Sequence, residues 1–166
     1  MAGQISQFLS KDHRRLEDLL NQAAAGGEHI DAACYSQFRA GLLKHIAMEE
    51  KILLPAAQRL RGGIQLPGAE KLRLDHGALA ALLVPTPTPT IIKTIRIVLK
   101  AHNPLEEGPD GVYTTCEQLF GPQAPAILAD LQLAPEVKVT PHHDGSFVME
   151  ATRHALGRAG HKLVEA

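Results

Sequence analysis

The chain has 166 residues, enough for one domain to bury a core without disulfides or a structural metal. With 17 Lys and Arg against 18 Asp and Glu, it carries no basic field for nucleic acid and no charged tail. The absence of Trp and an aromatic share of 4% imply a core of Leu, Ile, Val and Ala, which suits packed helices better than a sheet.

Ile5, Phe8, Leu9, Leu16, Leu19 and Leu20 follow a helical period, and Gly26-Gly27 ends this first predicted helix. Asp31 can cap a second, in which Phe38, Leu42, His45, Glu49, Ile52 and Ala56 share one stripe; Pro55 is expected to kink it and Gly62-Gly63 to stop it. The third starts near Pro67 and aligns Ala69, Leu72, His76, Leu79 and Leu83. Pro85-Thr86-Pro87-Thr88-Pro89 cannot be helix interior and reads as a connector, after which Thr90 can cap a fourth helix with Ile91, Ile95, Val98 and His102 on its stripe.

Within "HNPLEEGP", Asn103-Pro104-Leu105-Glu106 also resembles a helix start, but Gly108-Pro109 would end such a helix after one turn. A single fourth helix kinked at Pro104 is therefore expected. The spacing predicts an all-α, antiparallel four-helix bundle over residues 1–107, with residues 108–166 as a C-terminal extension packed on it. In the extension, residues 112–131 predict one or two short helices broken at Gly121-Pro122. Glu136 to Thr140 can be extended, and Ser146 to Gly160 predicts a last helix. No internal repeat is evident.

Cys34 and Cys116 lie far apart and outside any CxxC motif, as expected of free thiols in a reducing cytoplasm. The N-terminal residues lack a signal-peptide core and no apolar run reaches membrane-spanning length, so a soluble cytoplasmic protein with no membrane or nucleic-acid partner is expected.

The nine histidines carry the chemical signal. Nine His and eleven Glu scattered at random give about 0.6 His-x3-Glu pairs. The chain has four: His13-Glu17, His45-Glu49, His102-Glu106 and His161-Glu165. Beside Arg14, Arg15 and Asp18, Glu17 reads as part of a solvated charged face, and His161-Glu165 lies at a fraying end. The ordered set His13, His45, Glu49, His76, His102 and Glu106 brings four imidazoles and two carboxylates to one interior. Buried carboxylates need partners, and a metal centre satisfies all six groups at once. Four-coordinate zinc does not need six groups and the set has no thiolate, so mixed imidazole and carboxylate point to a pair of iron or manganese ions, with a di-iron centre the natural reading.

The segments "DHRRLEDLL", "HIAMEEKILLPA", "LRLDHGALAALL" and "AHNPLEE" resemble the four ligand segments of hemerythrin-like domains, the group called HHE cation-binding. The resemblance covers about residues 5 to 107. It implies two iron ions bridged by Glu49 and Glu106, with His13 and His45 on one iron, His76 and His102 on the other, and a shared oxo or hydroxo group. Oxygen-carrying members add a fifth histidine one turn from the third-helix ligand, where this chain has Leu72 and Ala80; both irons could then keep an open position for O2, NO, peroxide or water. They also use His-x4-Asp on the last helix, where this chain offers Glu106 and then Glu107; Glu106 is the expected ligand. His29 is a candidate fifth ligand, and Glu50 is expected outside the ligand set. The implied functions are a sensor, scavenger or store of O2, NO or peroxide, or an enzyme-like role in reducing NO or peroxide or repairing iron centres. A metal-free helical interaction module is the remaining class. His142-His143-Asp144 reads as a polar turn, and His154 and His161 as solvent-facing. Tyr35 and Tyr113 can touch the site, Tyr35 more readily as helix packing.

Overall fold

A computed structural model describes residues 2–165, and all regular structure among them is helical. Helix α1 spans Gln4–Ala24 and α2 spans Ala32–Met48, with the Asp31 carboxylate capping α2 by accepting the Cys34 N–H at 2.9 Å. Helix α2 runs without a break through a π-helical turn, Glu49–Leu53, into α3, Leu54–Leu60. Here Pro55 has no N–H to donate and its ring would crowd the Lys51 carbonyl. The wider turn, closed by Leu54 N–H to the Glu49 carbonyl, absorbs that conflict. Gly62 and Gly63, at φ 67° and 91°, take the left-handed conformations that let the chain leave α3.

Helix α4, Ala69–Leu82, is followed by α5, Pro89–Glu107. The cap of α5 is Thr88, whose hydroxyl accepts the Ile91 N–H at 3.2 Å, not the expected Thr90. Pro89 explains the shift: its fixed φ and missing N–H suit the first helical position, which puts Thr90 inside the helix. Pro104 lies within α5, and the helix continues through it to Glu107, so Asn103 starts no new helix.

Beyond α5 come α6 (Val112–Phe120), a 3-10 turn at Gly121–Gln123, α7 (Ala124–Gln132) and α8 (Ser146–Arg158). The segment from Glu136 to Thr140 is irregular, not a strand. Among the described residues no strand lies beside it, and side chains of α2 hold it instead: Arg39 donates to the Thr140 carbonyl at 2.7 Å and Lys44 meets Glu136 at 2.7 Å.

Two apolar clusters sit on either side of a polar layer. One holds Leu16, Leu20, Phe38, Leu42, Leu79, Leu82, Ile91, Ile95 and Val98, closed by Leu156 and Ala159 from α8 and its cap. The other holds Ile5, Leu9, Leu53, Leu54, Ala69 and Leu72, closed by Val112, Tyr113, Cys116, Phe120 and Leu131. Each fully buried Leu or Ile stabilises the fold by roughly 2 kcal/mol. The long helices meet these layers in alternating order: α1 and α4 run from the second cluster to the first, α2 from the first to the second, and α5 from the first into the polar layer at His102 and Glu106. Helix α8 packs on α4, and α6 on α1, α3 and α5.

Candidate metal centre

The polar layer is built by putting His or Glu where the apolar stripe would otherwise continue. On α1, His13 lies one turn after Leu9 and one turn before Leu16. His45 and Glu49 are one turn apart where α2 meets the π turn, His102 and Glu106 one turn apart at the end of α5, and His76 sits in the middle of α4. None of the six is more than 7% exposed.

Their side-chain atoms fall into two groups. His13, His45, Glu49 and Glu106 each offer one atom to the first, and Glu49, His76, His102 and Glu106 to the second; within each group these atoms lie within 4.8 Å of one another. His13 Nε2 is 3.2 Å from Glu106 Oε2, and His45 Nε2 is 3.2 Å from Glu49 Oε1. On the other side, His76 Nε2 is 3.1 Å from Glu49 Oε2, and His102 Nε2 is 2.7 Å from Glu106 Oε1. Glu49 and Glu106 belong to both groups, each turning one oxygen to either side.

Behind every imidazole stands another carboxylate. Nδ1 of His13 pairs with Glu107, that of His45 with Asp12 at 2.8 Å, that of His76 with Glu50 at 2.7 Å and that of His102 with Asp75 at 3.0 Å. An ionised carboxylate only accepts, so each Nδ1 carries the proton, and in the neutral ring Nε2 is a bare lone pair facing the centre. Histidines that bind metals are held in this way.

With these donors in place, the comparison with known families is decisive: the hemerythrin HHE cation binding domain matches residues 4–109, from the first residue of α1 to just past α5. The chain belongs to this family. No curated protein and no solved structure matches it. The match spans all four segments on which the resemblance rests, and the His and Glu groups fit a cation site of the hemerythrin type.

An observation independent of the family supports that fit. Glu49 Oε2, His76 Nε2 and Glu106 Oε1 are buried and make no hydrogen bond. His76 Nε2 nevertheless lies 3.1 Å from Glu49 Oε2 and 3.5 Å from Glu106 Oε1. Atoms so close yet out of hydrogen-bond alignment are what ligands aimed at a common third atom look like. Unsatisfied buried polar atoms cost about 1–3 kcal/mol each, and a cation shared among them removes that cost.

The electrostatics agree. Burial opposes a charge on His45, yet the Glu49 carboxylate and the Asp12 hydrogen bond push its pKa up to about 10. The same contest, burial against carboxylates, ends at about 11 for His76 and about 9 for His102. Burial also works against ionised Glu49 and Glu106, but the surrounding imidazoles hold both below the usual carboxylate range. The centre thus holds two carboxylates that require positive charge, whether as protons on imidazoles or as metal ions.

The remaining residues separate cleanly. Glu107 and Glu50 face the backs of His13 and His76, while Glu106 is fully buried between the two groups. Glu17 is exposed, and its neighbouring arginines pair elsewhere: Arg15 with Asp12 at 2.8 Å, and Arg14 lies 3.9 Å from Glu107. His29 is exposed in the α1–α2 turn, bridged by backbone to Gly26 and outside both groups. Tyr35 packs its ring against Phe38 at a centroid distance of 5.9 Å. His154 is exposed. His161, expected to face solvent, instead approaches Asp75 Oδ1 at 3.1 Å; Lys71 draws the end of α8 inward by donating to the Ala159 carbonyl at 2.6 Å. His142-His143-Asp144 lies in an exposed irregular segment, not a defined turn, pinned to the proline-rich connector, where Asp144 accepts from the Thr86 N–H and hydroxyl at 2.8 and 2.7 Å.

Sequence reasoning missed Asp12 and Asp75, and with them a repeat. Asp12-His13 followed by His45-x3-Glu49-Glu50 has its counterpart in Asp75-His76 followed by His102-x3-Glu106-Glu107. The shared pattern is too sparse to show as sequence similarity, but the pairings repeat with it. In each half the Asp holds the histidine of the His-x3-Glu-Glu motif, and the second Glu holds the Asp-His histidine of the other half. Tyr113 is fully enclosed by the centre, with its hydroxyl against the first group. Burial and the nearby Glu49 and Glu106 charges keep that hydroxyl protonated to well above its ordinary pKa.

Proposed function

We propose that this chain is a non-haem di-iron protein whose residues 1–107 form an antiparallel four-helix bundle, with residues 108–166 as an extension packed on it. It binds O2, NO or peroxide as a sensor, scavenger or store. The observation that carries this reading is the sharing of Glu49 and Glu106 by both donor groups, which suits two adjacent ions bridged by carboxylates. In this reading His13 and His45 hold one ion and His76 and His102 the other. The alternating order in which α1, α2 and α4 pass the two apolar clusters, and in which α5 leaves the first for the polar layer, supports the antiparallel bundle. Six donors without a thiolate favour iron over zinc. The two free thiols, Cys34 and Cys116, suit a reducing cytoplasm, and no described helix is long and apolar enough to cross a membrane.

When bound, the iron pair supplies reversible electron transfer to a small oxidant. The chain's own residues set the conditions. Asp12, Glu50, Asp75 and Glu107 fix the four rings, and Asp12, Glu50 and Asp75 help to raise the basicity of His45, His76 and His102. A cavity of about 470 Å³ reaches His13, His45, His76 and His102, and its walls of Leu16, Leu20, Leu42, Ile46, Leu79 and Leu99 disfavour water. Glu17, Asn21, Arg96 and Lys100 line it where it meets solvent. Leu72 and Ala80, neither able to ligate, stand where the family's oxygen carriers place a fifth histidine. That leaves room for exogenous ligands and favours, as a second reading, turnover of NO or peroxide.

The test is metal analysis after iron-replete expression, with absorption spectra before and after air exposure. Two irons per chain, one for each donor group, and a ferric spectrum after air are expected. A chain that purifies with zinc or with no metal overturns the reading. Anaerobic addition of NO or peroxide then separates a stable adduct from turnover.

A further inference from the structure

Tyr113 reaches the centre from α6, outside the four helices that carry the other candidate ligands and beyond the matched residues 4–109. Its hydroxyl oxygen lies 2.6 Å from Glu49 Oε1, 2.9 Å from Glu106 Oε2, 3.1 Å from His13 Nε2 and 3.3 Å from His45 Nε2. One phenol has a single proton to give. It can satisfy one of two carboxylate oxygens, and two imidazoles that already donate from Nδ1 offer it only lone pairs in their neutral form. With both rings neutral, as metal binding requires, four acceptors surround one donor, which is a poor hydrogen-bond arrangement. As a coordination shell it makes sense: ligands held at about 2.1 Å by one octahedral ion lie about 3.0 Å from their nearest neighbours in the shell. The 3.2 Å separations of His13 Nε2 from Glu106 Oε2 and of His45 Nε2 from Glu49 Oε1 match that spacing as well.

We propose that Tyr113 is a metal ligand, giving its phenolic oxygen to the ion held by His13 and His45. On loading, the phenolic O–H bond is exchanged for an oxygen–metal bond, the proton leaves to buffer, and no electron is transferred. The two halves of an otherwise two-fold site then differ. The second group has no such partner: Glu49 Oε2, His76 Nε2 and Glu106 Oε1 make no hydrogen bond at all. Exogenous ligands are therefore directed to the ion of His76 and His102. The C-terminal extension acquires a role as well, because α6 completes the centre from the side opposite the leucine-lined cavity, whose walls exclude Tyr113.

The inference rests on the di-iron reading, and the experiment separates the two failures. The full chain is loaded with ferrous iron under anaerobic conditions and oxidised in air. Iron content, visible absorption and resonance Raman spectra are recorded for wild type and Tyr113→Phe, followed by azide titration. Wild type is expected to show a phenolate-to-ferric charge-transfer band with enhanced tyrosine ring vibrations. Tyr113→Phe should lose both, keep both irons and gain a second azide site. Two irons in wild type without tyrosine vibrations overturn the inference and leave the di-iron reading standing; no iron overturns both. One iron in wild type and two in Tyr113→Phe overturn it in favour of a hydroxyl that blocks the position. The wild-type Raman spectrum decides the matter even if the variant fails to fold.

Discussion

Asp75→Ala tests whether the carboxylates behind the histidines set metal affinity. Asp75 is 0% exposed and takes His102 Nδ1 at 3.0 Å, Lys71 Nζ at 2.5 Å and His161 Nε2 at 3.1 Å. Truncation leaves the Nδ1–H of a ring that is only 3% exposed without an acceptor and frees the ring to turn. A buried hydrogen bond to a charged group contributes about 1.5–3 kcal/mol, or roughly ten- to a hundred-fold in an equilibrium constant. Outer partners of metal-bound histidines fall in the same range, about 10–100-fold. The iron affinity of the group containing His102 should drop by that factor. Glu50 and Glu107 have side chains 25% and 28% exposed, where water can replace the lost acceptor. Their alanine variants should therefore lose less than about ten-fold. The assay is anaerobic ferrous titration against a competing chelator, with a thermal melt of the metal-free protein to separate lost affinity from lost fold. An equal loss in Glu107→Ala, or an Asp75→Ala affinity within about two-fold of wild type, refutes the reasoning.

Glu106→Ala should lose at least one iron per chain whereas Glu107→Ala keeps two, measured by metal analysis; the reverse order would exchange their roles. Tyr35 has a buried hydroxyl without a hydrogen-bond partner, and burial, partly offset by Arg39, pushes its pKa up to about 12. Because the folded value lies above the ordinary 10.0, the stability tied to the neutral phenol is intact below that pH and is lost as pH climbs towards 12. Tyr35→Phe should therefore melt no lower than wild type at neutral pH and lose less stability over that alkaline interval; a steeper loss would contradict the assignment. Leu156 is 0% exposed where α8 meets the first cluster, so Leu156→Ala should destabilise by about 2–5 kcal/mol in denaturant titration. A loss below about 1 kcal/mol would mean that α8 contributes little to the core.

The sequence made the six inward residues conspicuous because His and Glu on a leucine stripe are energetic anomalies that demand a partner. The identity of the partners behind them was hidden for a geometric reason. Asp12 and Asp75 lie one residue from a histidine they do not touch, about 100° round the helix, and serve a histidine on another helix. The one signal that could have found them is the recurrence of Asp-His and His-x3-Glu-Glu, which is too sparse to read as a repeat. The π turn was legible as a proline kink but not as a widened turn, since the conflict of Pro55 with the Lys51 carbonyl can be relieved in more than one way. Thr90 looked like a cap until Pro89 was counted as helix. His161 looked solvated because its partner, Asp75, is 86 residues away, and nothing local to a chain end signals such a contact. Tyr113 was legible only as a residue able to touch the site, because an aromatic on the buried face of a short helix otherwise reads as core.

The crossed pairing of the two halves has a consequence for how the centre fills. Glu107 steadies His13, a donor of the first group, from the helical turn that also carries Glu106, a donor to both. Glu50 steadies His76, a donor of the second, from the π turn that carries Glu49. An ion that orders one group therefore immobilises the turns on which the other depends, and the coupling is reciprocal. Uptake should be cooperative, with ferrous titrations steeper than two independent sites allow. A population given half its iron would then divide into filled and empty molecules, with few holding a single ion.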